Sequence, residues 1–206
     1  MAQVPQIYPI QPSEATASYD YADLQEGTGI TIYNLAQAQL SGSVFSYILT
    51  RQDLYSDATE VSGACTIGKT SDLDYDVTFA RPQNLKGTAY LNISHGVLNA
   101  SGYLKAIVRK WDGTTETDIA EAFSRTIGTN GLTYLMPIVI PLTHFKVSET
   151  LRLTIEAWND DNDVGDIFSY GIDPQDRTTK SWLATRLPDG ITTIKSSFHV
   201  PFVLKT

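Results

Sequence analysis

Residues 150–158 read TLRLTIEAW, with Leu151, Leu153, Ile155 and Ala157 on one side of an extended chain and Arg152, Thr154 and Glu156 on the other. A period of two in β-forming residues is that of a strand with one buried and one solvated face. Immediately upstream, the apolar run 134–141 (YLMPIVIP) passes through a polar turn at 142–149 (LTHFKVSE) into this strand. Pro137 cannot donate to a ladder, so that run reads as an edge strand or a bulged one.

The same alternation recurs on either side. Leu73, Tyr75, Val77 and Phe79 alternate with Asp72, Asp74, Asp76 and Thr78. A turn at Arg81-Pro82-Gln83-Asn84 leads into 87–94, with Ala89, Leu91 and Ile93 inward. Next, 102–111 places Leu104, Ala106 and Val108 inward and Lys105 and Arg109 outward. Asp112-Gly113 is a hairpin signal of the type I′ kind. Residues 115–127 fit helical and strand spacing alike; the strand is preferred, because the turn returns the chain beside its predecessor. In the C-terminal stretch Ile194, Phe198, Val200, Phe202 and Leu204 share one side. Residues 34–37 could cap a short helix ending at Gly42, between strand-like flanks at 29–33 and 44–50.

Eight to ten short strands without a βαβ rhythm predict an all-β fold, an antiparallel β-sandwich or jelly roll, over residues 28–206. Residues 1–27 differ: Pro5, Pro9 and Pro12 interrupt small and polar residues, which suits an extended arm. Such an arm is either a tail or a segment ordered against a neighbouring subunit, with Ile7, Tyr8 and Ile10 as assembly contacts.

Composition narrows the function. The chain has 206 residues, a formal net charge of −8 and a single cysteine, Cys65. One cysteine excludes an internal disulfide. The acidic balance argues against nucleic acid, whose phosphates call for clustered Lys and Arg. No apolar run approaches the ~20 residues of a membrane span. Residues 1–14 do not read as a secretion signal, so synthesis in the cytoplasm is expected.

The motifs are mostly weak. Residues 63–70 (GACTIGKT) match the phosphate-cradling pattern G-x-x-x-x-G-K-[ST]. That chemistry requires a buried strand before the loop and a helix after it. Here polar residues precede the match and an alternating strand follows, so a glycine-punctuated loop is expected. In 159–166 (NDDNDVGD) carboxylates crowd a loop after the organising strand. Asn159, Asp161, Asp163 and Asp166 offer oxygen ligands for Ca²⁺, although the EF-hand spacing fails at Tyr170; the other reading is a solvated turn. No other cofactor is indicated.

Asp72, Asp74 and Asp76 on one strand face read either as cross-strand ion pairs with Lys105, Arg109 or Arg152, or as converging acids of a hydrolase. His95, His144 and His199 show no metal or catalytic spacing, and no nucleophile signature surrounds Cys65. The expectation is therefore that the chain is not an enzyme. Trp111, Trp158 and Trp182 stand near strand ends, as sugar-stacking rings or as the rim of the core.

Several turn and strand signatures resemble those of a known group. They are Tyr55-Ser56-Asp57, Thr78-Phe79-x-x-Pro82-x-Asn84, Val108-Arg109-Lys110-Trp111-Asp112-Gly113, and residues 143–156. Gly171-Ile172-Asp173-Pro174-x-Asp176-Arg177-Thr178 and His199-Val200-Pro201-Phe202-Val203-Leu204 complete the set. Together, over roughly 18–204, they resemble uncharacterised β-rich, jelly-roll-like virion structural proteins of tailed bacteriophages. The resemblance implies a capsid-associated, decoration or head–tail connection protein located in the virion, whose partners are copies of itself or other virion proteins. The alternative expectation is a carbohydrate-binding β-sandwich module, on a virion fibre for example.

Overall fold

Alternation at 150–158 becomes a strand in the middle of its layer, β9 (Thr150–Asn159). Leu151, Leu153, Ile155 and Ala157 are fully buried. The computed structural model describes residues 28–41, 44–160, 165–187 and 191–203. The expected arm, with Ile7, Tyr8 and Ile10, lies outside these residues.

Eleven strands account for most of the described chain: β1 (Thr28–Ser41), β2 (Val44–Thr50), β3 (Glu60–Ala64), β4 (Gly68–Thr78), β5 (Gln83–Leu98), β6 (Gly102–Trp111), β7 (Glu116–Phe123), β8 (Asn130–Phe145), β9, β10 (Ile167–Gly171) and β11 (Ser197–Val203). Their hydrogen-bonded order is β3-β10-β5-β11-β1-β2-β4-β9-β6-β7, with β8 paired to β5. Inward residues from β5, β8 and β11 and from β4, β6 and β9 belong to one core cluster. The continuous sheet therefore folds over on itself as a β-sandwich, its two inner faces sharing one apolar interior. Across that interior the Tyr75 and Tyr170 hydroxyls meet at 3.4 Å. At one end Phe79 packs edge-on against Phe145 and Phe202.

The sandwich is all-β as expected, but the sheet is mixed. β2 joins β4 by a parallel bridge, Ile48↔Asp76, while the other strand pairings are antiparallel. Residues 34–41, considered as a helix, continue β1 instead. Pairing with β11 over 28–34 and with β2 from Asn34 onward satisfies their backbone more fully than an isolated turn of helix. The ambiguous 115–127 stretch contains β7, hydrogen-bonded along β6. The intervening hairpin is not type I′. Gly113 has φ +97 but Asp112 is not left-handed; its Oδ1 accepts from the amides of Thr114 and Thr115. β8 pairs with β5 alone, which is where Pro137 is tolerated.

A short helix, α1 (Trp182–Arg186), crosses the outside of β5 and β10. Ser181 caps its amide at Ala184, and the Glu60 carboxylate accepts from the Trp182 and Leu183 amides and the Ser181 hydroxyl. Leu183, Leu187, Ile191 and Ile194 form a second, smaller cluster there. Glycine at positions 96 and 131 makes room for it, since a Cβ at Gly96 would stand 2.2 Å from a Leu187 methyl.

Candidate functional site

The outward side of β9 is less wet than its sequence implies. Thr154 is fully buried and Glu156 nearly so. Opposed charges from neighbouring strands close over them. Arg152 donates two bonds of 2.8 Å to Asp76 and one of 2.8 Å to Glu116, and its guanidinium lies 5.3 Å from the Trp111 ring centre. Arg109 reaches Asp118 at 2.7 Å and Glu116 at 3.2 Å. Lys69 bridges Asp72 and Glu156 at 2.6 and 3.3 Å. Asp74 and Asp76 are thus cross-strand ion-pair partners of Arg152, whereas Asp72 pairs with Lys69 along its own strand. The pairing holds Arg152 in its charged form, chiefly through its bonds to Asp76. Arg152→Ala should cost about 1.5–3 kcal/mol, the range for hydrogen bonds to charged groups, measured by urea unfolding. Leu135→Ala, on an exposed face, should cost well under about 1 kcal/mol.

At the far end of β9 the chemistry changes. Tyr103 and Trp158 are direct cross-strand partners on β6 and β9. Their rings lie parallel within 3°, centres 6.2 Å apart, and Phe123 from β7 leans on Tyr103 at 6.1 Å. Trp158 Nε1 donates to Glu156 at 2.8 Å, fixing the indole. Beside the two rings opens a pocket of about 230 Å³ whose polar lining comes from Ser101, Thr126, Asn159 and Asp160. Asn159 anchors it: its Nδ2 donates to Thr70 at 2.7 Å, and its buried Oδ1 has no partner. Asp160 Oδ1 accepts from the Ser101 amide at 3.0 Å. Gly102 is needed here because a Cβ would stand 2.4 Å from Asn159 Oδ1.

A third feature lies on the outside of the opposite layer. Ile32, His199, Tyr90 and Pro137 form one row across β1, β11, β5 and β8. On β8 the row is flanked by Leu135, 63% exposed, and Val139, 72% exposed. Alternation on β8 explains the stripe: Met136, Ile138 and Ile140 turn inward, and the residues between them turn out.

Other sequence candidates are placed elsewhere. Residues 63–70 run from β3 through a bend into β4, with no helix following, so the phosphate-loop reading fails. Asp161 and Asp163 lie outside the described residues. Asp166 is buried beside Cys65, whose amide donates to its carbonyl oxygen at 2.9 Å. Among the described residues no three His, Cys, Asp or Glu converge to hold a metal ion. Of the three tryptophans, Trp111 backs Arg152, Trp182 belongs to α1, and Trp158 alone borders the pocket. The sequence reading missed Tyr103 and Phe123, because their adjacency to Trp158 depends on strand register.

No family model matches the chain, and no curated protein does. Among solved structures, an aminopeptidase from a marine sediment archaeon, Thaumarchaeota archaeon, superposes with a TM-score of 0.54 at 8% identity, over 86% of this chain and 37% of that one. A CocE/NonD family hydrolase from Staphylococcus aureus superposes at 0.49 with 10% identity, over 82% of this chain and 41% of that one. The chain spans about two-fifths of the length of these structures. At such identities the likeness is one of fold.

It nevertheless corrects one expectation. The expectation that the chain is not an enzyme does not stand: an aminopeptidase that superposes at a TM-score of 0.54 carries the same fold, so the fold is one that enzymes use. The absence of catalytic signatures tests only residues close in sequence, whereas catalytic groups converge from separate strands or from separate domains.

Proposed function

We propose that the chain is a structural protein of a bacteriophage virion, a capsid-associated, decoration or head–tail connection component that works through subunit contacts. The observation that supports this most is the outer row of Ile32, His199, Tyr90 and Pro137, with Leu135 and Val139 flanking it on β8. An exposed, largely apolar surface of this kind marks an interaction site. The turn signatures that resemble those of virion structural proteins support the same reading.

The occupant proposed for the row is the 1–27 segment of a second copy. Described chain begins at Thr28, paired with Val203 in the same layer, four residues before Ile32. Ile7, Tyr8 and Ile10 lie 18–21 residues before Thr28. Extended, that stretch reaches roughly 60 Å, whereas the row is only about 14 Å across. It therefore has the length to reach a neighbour. Residues 1–27 also carry Glu14, Asp20, Asp23 and Glu26 and no Lys or Arg, and exposed Lys86 stands on β5 four residues before Tyr90. Prolines limit the entropy such a segment loses on docking.

The full chain should be oligomeric by light scattering. Val139→Asp and deletion of 2–27 should each reduce it to monomer while the melting temperature moves by only a few degrees. Mass spectrometry of purified particles should find the chain in fixed stoichiometry. A monomeric full chain, or an oligomer indifferent to both changes, would sink the proposed contact. Absence from particles would sink the virion assignment separately.

A further inference from the structure

We infer that the pocket beside Tyr103 and Trp158 is a carbohydrate site that takes one pyranose ring of a neutral glycan. This is independent of the assembly reading, since the pocket and the apolar row lie on opposite layers of the sandwich.

Three observations select the ligand class. The first is shape and surface. Aromatic residues from three adjacent strands, Trp158, Tyr103 and Phe123, form a strip on one face. A pyranose presents C–H bonds on its flat faces, which pack on aromatic π-faces, and hydroxyls at its rim. The pocket, at about 230 Å³, is below the ~300 Å³ lower end of drug-sized sites and suits one sugar ring.

The second is the polar inventory. Asp160 uses one carboxylate oxygen on the Ser101 amide, leaving Oδ2 for a hydroxyl donor. Asn159 Oδ1 is a buried acceptor without a protein donor. An unpaired buried acceptor costs free energy, and a small shift of the amide toward an incoming hydroxyl would recover it. The Ser101 and Thr126 hydroxyls lining the pocket donate or accept as required. Vicinal hydroxyls need this mixture of acceptors and amphoteric groups on one side.

The third is charge. Asp160 in the pocket repels anions, whereas Glu156 and Asp72 on the neighbouring strands are bridged by Lys69. A purely apolar ligand would leave Asp160 and Asn159 unmatched. The pair Tyr103 and Trp158 is also held rigid, by register and by the Trp158–Glu156 bond, so little side-chain entropy is lost on binding.

The test is titration of the full chain with soluble cellotetraose, maltotetraose, chitotetraose and β-1,4-galactotetraose, followed by tryptophan emission and calorimetry. At least one should bind saturably and shift the emission. Trp158→Ala should weaken that binding at least tenfold, and Asp160→Asn at least threefold with an unchanged melting temperature. Trp111→Ala, on the ion-pair network, should leave it unchanged. No binding by any of the four glycans overturns the inference. So does binding that survives both pocket variants, and so does binding of choline, the competing cation–aromatic ligand, in the absence of any glycan response.

Discussion

Between pH 6.5 and about 3 the fold is expected to lose about 4–5 kcal/mol of stability through His95 alone. His95 lies on β5 between its cross-strand partners Leu132 and Tyr170, on the same face as the core residues Ile93 and Val97. It is fully buried, and neither ring nitrogen has a hydrogen-bond partner. Burial lowers its pKa from 6.5 to about 3. In the unfolded chain the imidazole titrates normally. Below pH 6.5 the unfolded state therefore takes up a proton that the folded state refuses, and acid favours unfolding. The contribution is complete above 6.5 and falls away toward 3. His199, also lowered by burial, adds a smaller slope of the same sign. Urea unfolding across this range checks it. His95→Leu should flatten most of the slope and raise stability at neutral pH, since it removes unsatisfied polar atoms from an apolar site. An unchanged slope in that variant would assign acid sensitivity to other groups.

Asp173→Ala is expected to cost about 3–5 kcal/mol, the range for breaking a buried ion pair from one side. Asp173 is fully buried. Its two carboxylate oxygens accept from the amides of Gln175 and Arg177 and from the Arg177 side chain at 2.7 and 3.1 Å. The guanidinium also donates to the Ser56 carbonyl and lies 4.1 Å over the Tyr55 ring centre. Removing the carboxylate would strand a half-enclosed cation and two amides together. Asp176 continues the same loop in a left-handed conformation, φ +54, and accepts from the Ile194 and Lys195 amides. Arg177→Ala should cost less than Asp173→Ala, because its charge leaves with it. Comparable losses from the two would show that the loop is held by other contacts.

These two residues also mark what the sequence conveys and what it does not. Strand alternation is local, so the core positions of β4, β6 and β9 could be read directly. Leu151, Leu153 and Ile155, and Tyr75, Val77 and Phe79, are inward as expected. What lies opposite them could not be read. Thr154 and Glu156 are buried because Arg109 and Lys69 arrive from strands far away in sequence. The cap on α1 depends on Glu60, 121 residues before Ser181. Trp158 drew attention by type, but Tyr103 becomes its neighbour only through the β6–β9 register. Asp173 is conspicuous only as part of a loop signature, whose meaning is a folded clamp. Local pattern therefore gave the layers, while both candidate sites depend on pairing between distant segments.

The position of β11 has a consequence for how such a chain comes off the ribosome. Ser197–Val203 is inserted between β1 and β5, two strands that end about a hundred residues or more before it. Until this segment emerges, β1 and β5 face each other across a missing strand, each with an open row of amides and carbonyls. Those rows are templates for pairing with another molecule, most dangerously while many copies are being translated together. Loss of the last strand would therefore act first on solubility, splitting a continuous sheet and adding two adhesive edges. Such non-local pairing is also slow to form, on the millisecond-to-second scale typical of all-β sandwiches. Protection during synthesis is a demand this topology places on the cell that makes it.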